Sequence, residues 1–69
     1  DIDEAIYLSD RVIVMSDRPG TVNGEIQIDF ERPRKREMIL TSQFSEYKKN
    51  IDNFHLIGKR ILGLPDQAD

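Results

Sequence analysis

The chain has 69 residues, of which 10 are basic and 13 acidic, so its formal net charge is −3, and it contains no cysteine. This length corresponds to one small domain or to part of a larger one, and the lack of cysteine fits a reducing compartment such as the cytoplasm. The acidic balance argues against a dedicated nucleic-acid binder, and the apolar runs fall far short of the ~20 residues that a membrane-spanning helix needs.

A short helix is predicted over residues 1–9. Asp1 can cap its first turn, and Glu4 follows three positions later, which is a variant of the capping box. Acidic residues at this end also suit the helix dipole. Asp1, Asp3 and Glu4 could alternatively form a cation site, but the next two positions are apolar where a calcium loop of the EF-hand type requires a ligand and a glycine. Capping is therefore the favoured interpretation.

An antiparallel hairpin is predicted over residues 11–30. Residues 11–15 are rich in β-branched side chains without alternation, which indicates a strand covered on both faces. The turn falls at Pro19 and Gly20, because proline fixes its own φ and glycine can adopt the positive φ that a type II turn requires. Residues 22–30 alternate between apolar and polar side chains, as in a half-exposed strand.

A basic linker is predicted over residues 31–41. Four of its side chains are basic within five positions, namely Arg32, Arg34, Lys35 and Arg36. A run of this kind is usually a solvated segment. The alternative is that these four side chains contact acidic groups on a partner.

The last element is predicted as a helix over residues 42–62. Apolar and aromatic side chains recur there mostly at spacings of three or four positions, at Phe44, Tyr47, Ile51, Phe54 and Ile61. Lys59 and Arg60 suit the last turn of this helix. Gly63 is expected to be its C-terminal cap, and Pro65 prevents its continuation.

The fold class is therefore predicted as α+β, in the order helix, strand, strand, helix. A covered strand after a short helix is typical of the back half of a βαβ unit, and the front strand of that unit is absent from the sequence. Two strands and two helices offer little material to cover such a strand on both faces. We therefore expect the isolated chain to self-associate, to pack its last helix across the exposed face, or to fold loosely.

One run of residues resembles a segment of ABC-transporter ATPases. The pattern is an aspartate, a Glu-Ala pair, an Asp-Arg pair, an apolar strand and an Arg-Pro-Gly turn, here Asp1, Glu4-Ala5, Asp10-Arg11, residues 12–15 and Arg18-Pro19-Gly20. In that family the segment directly follows the switch histidine. The turn, together with Arg32-Pro33-Arg34, resembles the nitrate, sulfonate and taurine importer branch. The resemblance is closest over residues 1–20.

The resemblance implies that residues 1–69 are the C-terminal piece of an ATP-binding domain, at the back end of a RecA-like α/β fold. The switch histidine would stand immediately before Asp1, and Asp1, Asp3 and Glu4 would flank the switch loop and help to position it. The family's phosphate-binding loop, signature motif, magnesium-binding aspartate and catalytic glutamate have no counterpart in this sequence. ATP and magnesium would therefore be cofactors of the parent ATPase, and this chain alone would not be an enzyme.

By the same resemblance, the parent would power import of a small anion or organosulfur compound from the cytoplasmic face of the membrane. Its partners would be the remainder of the ATP-binding subunit and the transmembrane permease subunits. The alternative is a free-standing binding or regulatory module. Such a module would hold an acidic partner through residues 32–36 and the C-terminal helix.

Overall fold

A computed structural model of the chain describes residues 1–16, 20–56 and 58–66. Its elements in chain order are helix α1 (Ile2–Leu8), strands β1 (Arg11–Met15) and β2 (Val22–Gln27), the 3-10 helix η1 (Arg36–Leu40), helix α2 (Ser42–Asp52) and strand β3 (Arg60–Leu64). The strands form one antiparallel sheet in the order β2-β1-β3. The predicted α+β class is thus confirmed. Neither α-helix within these residues is long and apolar enough to cross a membrane.

The predicted hairpin is present between β1 and β2, although β2 ends at Gln27 and not at Phe30. Val12 lies opposite Ile26 and Val14 opposite Gly24, and the register shifts between Val14 and Met15. Gly20 has a φ of 79°, the positive value that the predicted turn requires, whereas Pro19 lies outside the described residues. Local turn chemistry and the contrast between a covered and an alternating strand were sufficient to place this hairpin.

Strand β1 lies in the middle of the sheet. Val12 and Val14 are fully buried, and Ile13 is 8% exposed, so the prediction of a strand covered on both faces is confirmed. The expectation that the chain lacks the material to cover it was wrong, because this chain's own residues bury all three of these side chains. In addition, β3 pairs with the second edge of β1 and places Leu62 opposite Ile13. This pairing satisfies backbone groups of β1 that would otherwise stay open at a sheet edge.

The helix predicted over residues 42–62 is correct only in its first half. It starts at Ser42, where the Oγ1 atom of Thr41 accepts a hydrogen bond from the backbone N–H of Phe44 at 3.2 Å. It ends at Asp52. The next apolar residue of the predicted helical face after Phe54 is Ile61, seven positions on, so the periodic signal was already weak there.

The second half of that predicted helix is strand β3. Gly58 has a φ of 63°, which redirects the chain before the strand begins. Arg60 belongs to the strand and not to a last helical turn, and Gly63 is not a cap: a Cβ at that position would lie 3.0 Å from the Cβ of Ser9. Glycine is required there because β3 passes directly beneath α1.

The predicted linker over residues 31–41 contains the short helix η1, in which Met38 is 8% exposed. Met38 joins a core assembled from both helices, β1 and the residues after β2; its buried members are Ile6, Val12, Ile28, Met38, Phe44 and Ile51. The ring of Phe30 packs edge-on against Tyr47, with ring centroids 5.6 Å apart. These contacts place α1 and α2 on the same face of the sheet.

Candidate functional site

The start of helix α1 is held by side chains of its own first turn and of α2. The Oδ1 atom of Asp1 accepts a hydrogen bond from the backbone N–H of Asp3 at 3.0 Å, which confirms the predicted cap. The Lys48 Nζ atom lies 2.9 Å from the buried Asp3 Oδ1. Although this contact does not meet hydrogen-bond geometry, an ammonium has three donors that rotate, and we regard the ion pair as the partner of that oxygen. Glu4 is exposed.

An open groove of about 280 Å³ runs beside this acidic end, lined by Asp1, Asp3, Glu4, Tyr7, Arg36 and Ile39. Its walls therefore carry both acidic groups and one guanidinium. Nowhere in the described part of the chain do three or more His, Cys, Asp or Glu side chains converge in a way that could hold a metal ion. The arrangement suits a capped, charge-balanced helix start rather than a ligand shell.

The other end of α1 is held by residues from beyond β2. The last four carbonyls of an α-helix have no partner within the helix, and α1 has no basic residue in its last turn to supply one. Here the Ser9 N–H donates to the Ala5 carbonyl at 3.0 Å. The remaining three carbonyls accept from arginines: those of Ile6 and Tyr7 from Arg34 at 3.2 and 3.1 Å, and that of Leu8 from Arg32 at 2.9 Å.

Arg34 is the most enclosed cation of the site, with its side chain 3% exposed. Its guanidinium donates to five backbone carbonyls, those of Ile6, Tyr7, Ser9, Ile28 and Phe30. Burial lowers the pKa of this guanidinium from its ordinary value, and the neighbouring Arg32 adds to that effect. Carbonyls at the negative end of the α1 dipole oppose it, because they stabilise a cation placed there.

Asp10 connects this arginine pair to the end of β3. Its carboxylate accepts from the Asp66 backbone N–H at 2.9 Å and from Arg32 at 3.0 Å, and it lies 3.6 Å from the Nη2 of Arg34. The Asp66 hydrogen bond, followed by that of Arg32, holds the pKa of Asp10 below its usual value. The Asp10 carboxylate therefore joins the segment after β2 to the segment after β3, at the start of β1.

The structure divides the four predicted basic site residues into two pairs. Arg32 and Arg34 bind this chain's own carbonyls and Asp10. Arg34 is not the side chain of a solvated linker, since it is 3% exposed, whereas Arg32 stays about half exposed while it binds the Leu8 carbonyl and Asp10. Lys35 and Arg36 are exposed, and their contact with an acidic partner stays a prediction. Sequence reasoning missed Asp10 as the carboxylate that pairs with these arginines. It also missed what the arginines bind, although a short helix without a basic last turn indicates that its carbonyls need donors from elsewhere.

Curated relatives of this chain are ATP-binding proteins of ABC transporters. An uncharacterised ABC transporter ATP-binding protein of Methanocaldococcus jannaschii is 52% identical over 52 residues, which cover 75% of this chain and 18% of that protein. The aliphatic sulfonates import ATP-binding protein SsuB 2 of Burkholderia cenocepacia is 43% identical over 56 residues, 80% of this chain and 21% of that protein. The nitrate import ATP-binding protein NrtD of Synechococcus elongatus is 49% identical over 41 residues, which cover 58% of this chain and 15% of that protein.

The chain thus spans about a fifth of the length of the curated relatives it matches. No protein-family model matches it. No solved structure matches it either.

Proposed function

We propose, from the homology of this chain to one segment of the ATP-binding subunits of sulfonate and nitrate ABC importers, that it works as part of such a subunit. Its role there is to support the switch loop, which leads into α1 at Asp1. The subunit binds ATP and magnesium through residues outside this segment. It drives import of a small anion or organosulfur compound through permease partners, from the cytoplasmic face of the membrane.

The observation that carries the proposal is the anchoring of α1 at both ends. A side chain that senses the terminal phosphate of ATP must sit where the backbone turns into a helix and faces the crevice. The position of such a side chain depends on the position of the helix that follows it. Asp1 fixes the first turn of α1, Lys48 holds Asp3, and Arg34 holds the last turn.

Replacing Asp1 by alanine in a full-length subunit that contains this segment tests the proposal. Loss of a side-chain cap costs about 1 kcal/mol, and a barrier raised by that amount lowers kcat about fivefold. We expect this fall with a change of less than about twofold in the KM for ATP, because the switch contact matters most for the reacting phosphate. Glu46→Ala, at an exposed position of α2, is the matched control. An unchanged kcat in the Asp1 variant would contradict the switch-loop role.

One observation favours the alternative of a free-standing binding module: β1 is covered by residues of this same chain. Such a module would use the exposed Lys35 and Arg36 to hold an acidic partner. Light scattering and amide exchange on the isolated chain test its independence. A monomer with protected β1 amides and a salt-sensitive affinity for an acidic peptide, lost when Lys35 and Arg36 become glutamate, would support the module. Association or unprotected β1 amides would count against it.

A further inference from the structure

The inference concerns the arginines that close the C-terminal end of α1. All four carbonyls that this helix leaves open are occupied, and three of them accept from Arg32 or Arg34. Those arginines lie more than twenty positions away along the chain. The last three carbonyls of α1 are therefore bound through a tertiary contact and not by residues next to the helix.

The shape of the guanidinium matters for this contact. Arg34 uses all three of its nitrogens: Nε donates to Phe30, Nη1 to three carbonyls at the end of α1, and Nη2 to Ile28 and Phe30. An arginine presents five donors in a planar fork, whereas a lysine presents three donors from one point. Lysine at this position keeps the charge but cannot reach both the helix end and the segment after β2.

The contact also sets the direction of α1. The Nη1 atom holds the helix end while Nε and Nη2 hold the segment that leads away from β2. Rotation of α1 about its capped start would break the bonds to Ile6, Tyr7 and Ser9 together. A short helix whose last turn is bound in this way moves as a unit with the segment after β2.

We propose that Arg34 is a positioning residue for ATP hydrolysis, which fixes the orientation of α1 and, through it, the loop that precedes Asp1. Arg32 assists by holding the Leu8 carbonyl and Asp10. This inference rests on the proposed function, in which that loop carries the switch side chain. Arg34 itself does not touch nucleotide: it acts by preventing α1 from tilting.

The test is Arg34→Lys in a full-length ATP-binding subunit that contains this segment. The rate is expressed per nucleotide-binding-competent molecule, counted by titration with a non-hydrolysable ATP analogue, so that loss of folded protein does not lower it. We expect kcat per competent molecule to fall at least about tenfold, with the KM for ATP changed less than about twofold. Lys49→Arg, which makes the reverse exchange at an exposed position of α2 outside both proposed sites, should leave both constants unchanged.

Arg32→Ala supplies a second measurement if the Arg34 variant does not fold. Arg32 is half exposed and holds one carbonyl of α1, so the fall in kcat should be smaller and in the same direction. An unchanged kcat per competent molecule in Arg34→Lys, or in Arg32→Ala where only that protein folds, would overturn the inference. Asp1→Ala separates the role of Arg34 from the proposed function. If it lowers kcat while the arginine variants do not, Arg34 is not a positioning residue and the proposed function stands. If none of them lowers kcat, the proposed function itself fails.

Discussion

Replacement of Gly63 by alanine tests the most unexpected element of the fold, strand β3. A Cβ at this position would overlap the Ser9 hydroxyl, would lie 3.0 Å from the Ser9 Cβ, and would approach the Ala5 carbonyl oxygen at 3.7 Å. The hydroxyl can rotate away, but the Ser9 Cβ is fixed by the backbone at the end of α1. Either α1 must lift or β3 must shift from β1.

The expected cost is that of overpacking a filled site, about 1–3 kcal/mol in the free energy of unfolding. For a domain of this size each kcal/mol lowers Tm by roughly 4–8 °C. Urea unfolding of the isolated chain, followed by circular dichroism, measures the cost. It should be done for the unmodified chain, Ser9→Ala, Gly63→Ala and the double variant, because Ser9→Ala removes the hydroxyl overlap and keeps the Cβ.

We expect the alanine at position 63 to cost less in the Ser9→Ala background, with a coupling of at least about 0.5 kcal/mol between the two sites. If Gly63 were instead the cap of a long C-terminal helix, its replacement would also destabilise the chain, but independently of Ser9. Free energies that add to within about 0.3 kcal/mol would therefore refute the packing of β3 beneath α1.

Two further predictions follow from the sheet and from the Asp10 network. Gly24→Ala should destabilise the isolated chain by about 1–3 kcal/mol, because the new methyl group would meet the Phe54 ring at 2.8 Å or less. The loss of stability should be smaller in a Phe54→Ala background. Equal losses in both backgrounds would contradict the packing of Phe54 on Gly24. The pKa of Asp10 lies below its ordinary value of 3.8 in the folded chain, so its contribution to stability is complete above that value and is lost as the pH falls through the lower folded pKa. Thermal unfolding should be measured between about pH 5 and pH 2, a window around these pKa values. As the pH falls, Tm should drop more steeply for the unmodified chain than for Asp10→Asn. Parallel declines in Tm would exclude Asp10 as a source of the pH dependence.

The elements that could be predicted from the sequence are those with local causes. Asp1 caps α1 because a carboxylate before a helix accepts from the N–H two residues later. Gly20 reverses the hairpin because it tolerates a positive φ. The start of α2 followed from the spacing of Phe44, Tyr47 and Ile51 on one face. In each case the signal lies within about one turn of the residue that it explains.

Strand β3 could not be predicted in this way because its cause is non-local. Residues 60–64 are apolar enough for a strand or for a last helical turn, and short apolar runs do not distinguish the two. Gly63 is compatible with both a helix cap and a close approach of backbones. The free edge of β1 decides between them, and that edge exists only once the hairpin has formed.

Within the basic segment, the prediction of a solvated side chain was wrong for Arg34, and the reason is related. A run of cations usually indicates solvated side chains, and nothing near Arg34 in the sequence shows that it is 3% exposed. The relevant signal was in helix α1, which has no basic residue in its last turn. The carbonyls at the end of α1 lack donors within the helix, and the basic segment has cations without an evident partner in the sequence. Matching the two would have indicated that the arginines bind the end of α1.

Both surprises concern the same helix. Gly63 allows β3 to pass beneath α1, and Arg34 binds the carbonyls at the end of α1. Helix α1, which lies in the stretch that most resembles an ABC ATPase, therefore takes its position from residues beyond that stretch. Similarity in that stretch alone does not preserve the position of α1, because a relative with another residue at position 34 or 63 must hold its helix by other contacts. Helix α1, Gly63 and the arginine pair therefore form one structural unit, in which the position of the helix depends on all three residues.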